Sequence, residues 1–441
     1  MKIELYVNQL SRTDCGGYIV TYTGYSGKRR RPVAVASVMT NNNVVTLSWL
    51  LAQDLPQAYI FTERPSTFNH NATFVNDKKY VIHDYLPNIT EDNRHLKAMR
   101  ACPVAGSKFP ILVTRDINPL IREHWSKWLP FFPKPDIRIF DKEDTGDRPL
   151  IVNFPFQSFP ANKHAVNPDV HYKLSSKARI PEMGAPCPRH MSRDNYTLPC
   201  IIKAAQGKGK RGTFLVKTEE EVTEALNELS NNFCDAELVV TEVIENVSKC
   251  LLAQLYIFQN GLFHWLGVKC KSNLPFVKRP EGYIPTPDVN WDEQEELEEM
   301  LRDVVHPVTQ YLHGNGYFGF TGVEILVNDK GCFVVDVNLK IASSTNLLLI
   351  APHMAALNFP ISYVMEILPT NIKHLLEAID SLNHQGDGRA ILLADGELSV
   401  EIQHKACVVI FAKNCEDVFK FQRELLKVAG NEISSGTSLG P

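Results

Sequence analysis

The sequence has no run of about 18 apolar residues, so no transmembrane helix is expected. The first residues, Met1-Lys2-Ile3-Glu4-Leu5, lack the apolar stretch of a secretory leader. Its 10 cysteines stand singly, with no Cys-x-x-Cys pair, which argues against a zinc framework and a disulfide scaffold. Reduced thiols in the cytoplasm are the simplest expectation. Charge of one sign is also scarce: 46 Lys and Arg face 50 Asp and Glu, for a net charge of −4. Such a balance carries no footprint for nucleic acid or an anionic membrane. The basic run Lys28-Arg29-Arg30-Arg31 reads as a solvated loop. No internal repeat and no low-complexity block appears.

What remains is an ordinary globular composition, 44% hydrophobic and 22% charged over 441 residues. At roughly 100–200 residues per domain, two to four domains are expected. Residues 1–155 alternate strands and helices, which predicts an α/β domain with a mostly parallel, covered sheet. Its strands are expected at Val33-Ala34-Val35-Ala36, Ala58-Tyr59-Ile60-Phe61, Tyr80-Val81-Ile82, Pro110-Ile111-Leu112-Val113 and Ile137-Arg138-Ile139-Phe140, with helices at 45–52 and 117–128. A proline-rich irregular stretch, 153–188, links this to the next part. After Phe359 helices are expected, then strands at 389–393 and 406–411, a helix at 415–428 and a frayed tail.

Two hairpins carry the chemistry. In the first, the strand Pro199-Cys200-Ile201-Ile202-Lys203-Ala204 leads into Gln206-Gly207-Lys208-Gly209-Lys210-Arg211-Gly212, and the strand Thr213-Phe214-Leu215-Val216 follows. A helix opens after it with a capping box, Thr218 to Glu221. Because the glycine loop joins strand to strand, it is neither a Walker A loop nor a Rossmann fingerprint, both of which feed a helix. It suits a basic flap whose backbone N–H groups turn toward phosphate, with Lys203 adding a point charge, although a solvated hairpin turn has the same composition.

The second hairpin runs Gly322-Val323-Glu324-Ile325-Leu326-Val327-Asn328, turns at Asp329-Lys330-Gly331, and returns as Cys332-Phe333-Val334-Val335-Asp336-Val337-Asn338. A three-residue turn pairing 328 with 332 sets Glu324 opposite Asp336, with Asn338 on the same face. Two opposed carboxylates repel unless a cation lies between them, and two acids with an amide oxygen make a hard site suited to Mg²⁺. Lys340, two residues on, points the same way.

These two hairpins, in this order, resemble the ATP-grasp superfamily, most closely its biotin-carboxylase-like and amino-acid-ligase members. Between them, Glu237-Leu238-Val239-Val240-Thr241-Glu242-Val243-Ile244 resembles the adenine hinge, and Ser175-Ser176-Lys177-Ala178 a segment with a second phosphate lysine. The resemblance covers about 170–355. It implies an α/β chain with an ATP-grasp fold: an N-terminal α/β pre-ATP-grasp domain at 1–155, the grasp domain at 156–365 with its lid near 195–245 and its larger part near 246–365, and a small C-terminal α+β segment at 366–441.

The resemblance also implies a cytoplasmic, ADP-forming carboxylate–amine ligase. Such an enzyme activates an amino acid or peptide carboxylate as an acyl phosphate and couples it to an amine. The alternatives are an ATP-grasp phosphotransferase or carboxylase, and a non-catalytic nucleotide-binding protein. The implied cofactors are ATP and one or two Mg²⁺, with Mn²⁺ a substitute. The implied partners are a small carboxylic acid and an amine, not nucleic acid or membrane, with a homodimer left open. Lys177, Lys203 and the flap residues Gly207, Gly209, Arg211 and Gly212 would contact phosphates. Glu242, Val243 and Ile244 would hold adenine, and Glu324, Asp336 and Asn338 the metal. Lys203, Lys340 and Lys271 would serve the chemistry. Three departures stand out: Asp336 where Glu is commoner, Lys340 where Arg is frequent, and Lys249 where an acid often holds the ribose, a place Glu245 could fill. Lys269 could share the cleft with Lys271. The segment Ser343-Ser344-Thr345-Asn346 is either an acceptor pocket or a helix N-terminus. His190, His264 and His353 are expected to be structural.

Overall fold

A computed structural model of the chain describes residues 5–12, 18–24, 33–39, 44–62, 73–74, 79–84, 95–96, 98–208, 212–232, 237–271, 287–369, 371–398 and 403–428. The basic run at 28–31 lies outside them.

Four short strands, Tyr59–Phe61, Ile111–Val113, Ile137–Ile139 and Leu150–Val152, make one parallel sheet. Every residue of the first two is buried, as expected of strands covered on both faces. Across the sheet the order is Ile137–Ile139, Ile111–Val113, Tyr59–Phe61, Leu150–Val152. The chain thus builds outward from Tyr59–Phe61, then reverses and adds Leu150–Val152 on the other side. Such a reversal opens a crevice at the carboxyl ends of the two strands that flank it. The helices Leu47–Leu51 and Pro119–Trp128 fall where expected. Each has a side-chain cap, from Thr46 and Asn118, and Pro119 takes the first turn, where its missing N–H costs nothing.

The apolar run at 33–36 does not join this sheet. It lies in Val33–Met39, an outer strand of an antiparallel three-stranded sheet with Tyr18–Gly24 and Leu5–Arg12. An apolar run that short does not specify its partners. The strand expected at 80–82 is Ile82–Asp84, which pairs with Thr73–Phe74 and Gly207–Lys208 instead.

The stretch 153–188 is more than a linker. It holds the helix Pro168–Leu174 and the 3-10 helix Lys177–Met183, and Leu174, Ile180 and Met183 enter the core of the larger antiparallel sheet. Buried His171 hydrogen-bonds through Nε2 to the carbonyl of Leu339 at 2.7 Å, tying this stretch to the end of the carboxylate hairpin.

Two antiparallel four-stranded sheets follow. The smaller has the order His190–Met191, Leu238–Glu242, Cys200–Ala204, Thr213–Val216 and carries the helix Glu219–Asn232. Half of the predicted capping box forms: Thr218 Oγ1 accepts from the Glu221 N–H, but the Glu221 carboxylate accepts from the N–H of Lys217. The larger sheet has the order Phe263–Cys270, Lys249–Ile257, Gly319–Asn328, Gly331–Asn338. The helix Gln294–Gly314 covers it with Leu297, Leu301, Val305, Val308 and Leu312, an apolar stripe at helical spacing.

The last sheet runs Val289–Asn290, Ile361–Ile367, Gln403–Ala412, Gly388–Leu398. Ile361–Ile367 is a strand where a helix was expected; the helices are Ile372–Gln385 and Cys415–Val428. This sheet shares one hydrophobic core with the parallel sheet. Two hydrogen bonds stitch them: Trp125 Nε1 donates to the Leu392 carbonyl at 2.7 Å, and the Leu392 N–H donates to His124 Nε2 at 3.0 Å. Burial lowers the His124 pKa to about 4, so the ring is neutral and able to accept. Among the described residues no helix is long and apolar enough to cross a membrane.

Candidate active site

The carboxylate hairpin reaches the expected pairing by an unexpected route. The turn has two residues: Asn328 pairs with Gly331, and Asn328 Oδ1 accepts the N–H groups of Lys330 and Gly331 at 2.9 and 3.2 Å. Left regular, that register would set Val335 opposite Glu324 and turn Asp336 toward the core beside Val323. A β-bulge between Ile325 and Glu324 absorbs Val335 and restores Glu324 opposite Asp336, with Asn338 opposite Gly322. The bulged residue has a use: Lys203 Nζ donates to the Val335 carbonyl at 3.0 Å.

Glu324, Asp336 and Asn338 line one wall of a cavity of about 820 Å³. Lys177, Lys203, Lys271 and Lys340 line it too, as do Glu242, Val243 and Ile244. The structure therefore gathers most of the expected site residues around one space. Lys271 is ion-paired with Glu324, and Lys177 Nζ stands 3.5 Å from Asp336 Oδ1. Cys250 Sγ lies 3.6 Å from Glu324 Oε1. Burial alone would raise the pKa of Asp336, but Lys177, Lys203, Lys340 and Lys271 together outweigh it and hold the carboxyl below its ordinary range. Lys203 is 8% exposed, and burial, reinforced by Lys177, lowers its pKa to about 8. For Lys271 burial acts the same way but is overcome by Glu324, so its pKa is raised.

This donor set fits a divalent cation. It is two carboxylates and an amide oxygen facing a cavity, and each carboxylate already draws an ammonium group toward it. Among the described residues no group of three His, Cys, Asp or Glu side chains gathers as a metal cluster. A cation here would keep positions for water or phosphate, as Mg²⁺ does.

The residues expected at the hinge line the same cavity, and Lys177 reaches from it to the start of the glycine loop. Lys177 Nζ donates to the Gly207 carbonyl at 2.6 Å, so one lysine spans the flap base and Asp336. At Gly207 a Cβ would stand 3.1 Å from the Ala204 carbonyl oxygen, and Gly212 has φ +76°, so both turns favour glycine. Neither Gly207 nor Gly212 lines the cavity, and Gly209 and Arg211 lie outside the described residues. Glu242 ends the strand Leu238–Glu242, and its carboxylate accepts the Arg189 N–H at 3.0 Å. Among the described residues no strand pairs with Val243 and Ile244. Glu245 and Lys249 do not line the cavity, whereas Asn246 does, at φ +53°.

Other expectations divide. Lys269 does not face the cavity but pairs with buried Asp288 at 2.8 Å. Lys340 lines it with its ammonium 4.9 Å from the centre of the Phe154 ring. Ser343–Ala356 is a helix, so the segment 343–346 is a helix N-terminus, and Ser343, Ser344 and Asn346 line the cavity as well. Ser344 and Thr345 are held by the buried amide of Gln254, at 2.6 Å each. The three histidines line no part of it, and His353 stacks on Phe131.

Sequence inspection missed Thr62, Arg100, Asn153 and Phe154, which also line the cavity. Thr62 and Asn153 directly follow the strands Tyr59–Phe61 and Leu150–Val152, and that position at the end of an expected strand was the available signal for Thr62. Arg100 carried none.

No curated protein matches the chain. It is similar to the solved structure of N5-carboxyaminoimidazole synthetase from Staphylococcus aureus complexed with ADP, at 10% identity over 88% of this chain and 100% of that one, TM-score 0.48. A second likeness is to an ADP complex of purK, N5-carboxyaminoimidazole ribonucleotide synthetase, at 14% identity over 75% and 93%, TM-score 0.48. A third is to the biotin carboxylase domain of Hydrogenobacter thermophilus 2-oxoglutarate carboxylase with MgADP, ADP and bicarbonate, at 16% identity over 58% and 67%, TM-score 0.37. A family model described as an ATP-grasp domain matches residues 170–344, the stretch that carries both hairpins and the hinge. Residues 170–344 of this chain form an ATP-grasp domain.

Proposed function

We propose that the protein is an ADP-forming ligase that activates a carboxylate as an acyl phosphate and couples it to an amine. The reaction is acid plus amine plus ATP to amide plus ADP plus phosphate, with the amine's proton released. The observation that carries this reading is the bulged hairpin: Glu324 opposite Asp336, with buried Lys203 clamped to the bulge, on the wall of a cavity that reaches an unpaired hinge at Val243 and Ile244. On this reading the sheet within 195–245 is the lid and 246–365 the larger half of the grasp.

ATP would supply the phosphoryl group and Mg²⁺ would screen its charge. Glu324, Asp336 and Asn338 would hold the metal, and Lys177 and Lys203 the phosphates. Val243 and Ile244 would offer backbone groups to adenine. Lys271, which pairs with Glu324, would offer its charge to a phosphate oxygen. Lys340, held over Phe154, would orient the reacting carboxylate. Charge neutralisation and alignment carry such a reaction, and rigidly placed cations supply both.

The test is hydroxamate formation from Mg-ATP, hydroxylamine and pooled carboxylic acids, with ADP followed in parallel. Coupled hydroxamate and ADP are expected. ADP without hydroxamate would replace this reading with phosphoryl transfer or carboxylation. Neither product, with Mg-ATP bound in calorimetry, would make the protein a non-catalytic nucleotide binder.

A further inference from the structure

One side of the cavity is built by residues that follow strands of the parallel sheet. Thr62 and Asn153 follow adjacent strands, Tyr59–Phe61 and Leu150–Val152, at the point where the strand order reverses. Crevices at such points bind ligands. Asn153 braces this end: its Nδ2 donates to the Thr62 carbonyl at 3.0 Å, and its Oδ1 accepts the Ile341 N–H at 2.9 Å. Arg100 closes the wall, its carbonyl accepting from Asn346 Nδ2 at 2.9 Å.

Two buried polar atoms here have no partner among the described residues: Thr62 Oγ1 and Arg100 Nε. Thr62 is 5% exposed and Arg100 9%. Native proteins pair nearly all such atoms, because desolvation without a hydrogen bond is costly. The guanidinium is also only partly neutralised. It pairs with Glu366, but that carboxylate is shared with Lys405, at 2.7 Å. The N-terminus of the 14-residue helix Ser343–Ala356 adds positive potential to the same end.

We propose that Thr62 and Arg100 form a second anion subsite, so that the acid this protein activates carries a further carboxylate or phosphate besides the reacting group. This rests on the carboxylate-activating reading. The two cations are apart in role: Lys340 directly follows the metal hairpin, its N–H donating to the Asn338 carbonyl, whereas Arg100 is anchored to the C-terminal sheet through Glu366. A substrate with one carboxylate engages Lys340 and leaves Thr62 Oγ1 and Arg100 Nε without a partner. A substrate with two anionic groups satisfies both ends. Arg100 and Thr62 are then specificity-determining residues.

The test is calorimetry of the full chain with Mg²⁺ and the β,γ-methylene analogue of ATP, titrated with monocarboxylic acids, chain-matched dicarboxylic acids and phosphomonoester acids. At least one doubly anionic class should bind about tenfold or more tighter than its monocarboxylic match, as expected for a charged hydrogen bond, and which class does so separates carboxylate from phosphate. Arg100→Met should lose that preference while binding the nucleotide analogue like the wild type; Glu366→Gln should keep it. Equal affinity for the matched acids, no binding of any acid, a preference surviving Arg100→Met, or its equal loss in Glu366→Gln would each overturn the subsite. If Arg100→Met loses nucleotide binding as well, Thr62→Val and Arg100→Lys carry the readout. Failure of the ligase reading looks different: doubly anionic acids bind, yet neither ADP nor hydroxamate forms.

Discussion

The two ends of the cavity are built by different means. The carboxylate side comes largely from one hairpin and the residue just past it, with Glu324, Asp336, Asn338 and Lys340 inside a single short stretch of chain. Each of its carboxylates has an ammonium partner, Lys271 on Glu324 and Lys177 beside Asp336. The far end is assembled from Thr62, Arg100, Asn153 and Asn346, which the chain order scatters, and it keeps unpaired buried atoms. The contrast teaches where general chemistry and specificity reside. Chemistry shared by a family can be written into a hairpin, while recognition of one substrate is set by what the fold brings to the other wall.

The largest expected effect lies at the metal end. Glu324→Ala and Asp336→Ala should each lower Mg-ATP-dependent ADP release by at least about a hundredfold, with the melting profile still cooperative. Near-wild-type rates in both would remove the metal assignment and level the contrast between the ends. Lys203→Met should come next, raising the KM for ATP about tenfold or more, since it loses both a phosphate charge and the clamp on the Val335 carbonyl. Unchanged nucleotide kinetics would reject the phosphate role.

At the far end the pH dependence of stability is informative. Burial would raise the Glu366 pKa, but Arg100 and Lys405 outweigh it and draw the carboxyl from 4.5 down to about 2. A carboxyl depressed in the folded state contributes stability above its unfolded pKa and loses it on acidification. The melting-temperature gap between wild type and Glu366→Gln should hold steady above about pH 5 and close as the pH falls toward 2. A gap that widens in acid would show that the Arg100–Glu366 pair does not hold this wall. The smallest effect is at Thr62→Val. Removing an unpaired buried hydroxyl should leave the free protein as stable or up to about 1 kcal/mol more stable, while affinity for a doubly anionic acid falls several-fold. A clear loss of thermal stability would mean the hydroxyl already has a structural partner.

Much of the fold was legible where the local pattern was strong. The short apolar runs at 59–61, 111–113 and 137–139 fall in strands, and the helix Pro119–Trp128 lies within the stretch expected to be helical. Ile361–Ile367 was hidden because a strand buried by tertiary packing carries no period that separates it from a helix. The stretch 153–188 looked irregular because it is rich in proline, yet Pro168 opens a helix, where its missing N–H costs nothing, and Pro181 sits within a 3-10 helix. The Glu324–Asp336 pairing was reached from a turn of the wrong length, and the bulge at Val335 made up the difference. No spacing rule foretells a bulge, since its stability depends on what hydrogen-bonds the displaced backbone, here Lys203 donating from another sheet.

By itself the sequence determined the two hairpins, their order, and the residue types that suit phosphate and a hard cation, because turn chemistry and strand alternation act over a few residues. Only the tertiary structure decided that Lys177, Lys203, Lys271 and Lys340 converge on one carboxylate face, that Lys269 turns instead to Asp288, and that Thr62 Oγ1 and Arg100 Nε are buried without a partner among the described residues. Long-range packing and a buried crossover between sheets set those distances, and neither leaves a periodic trace in the chain.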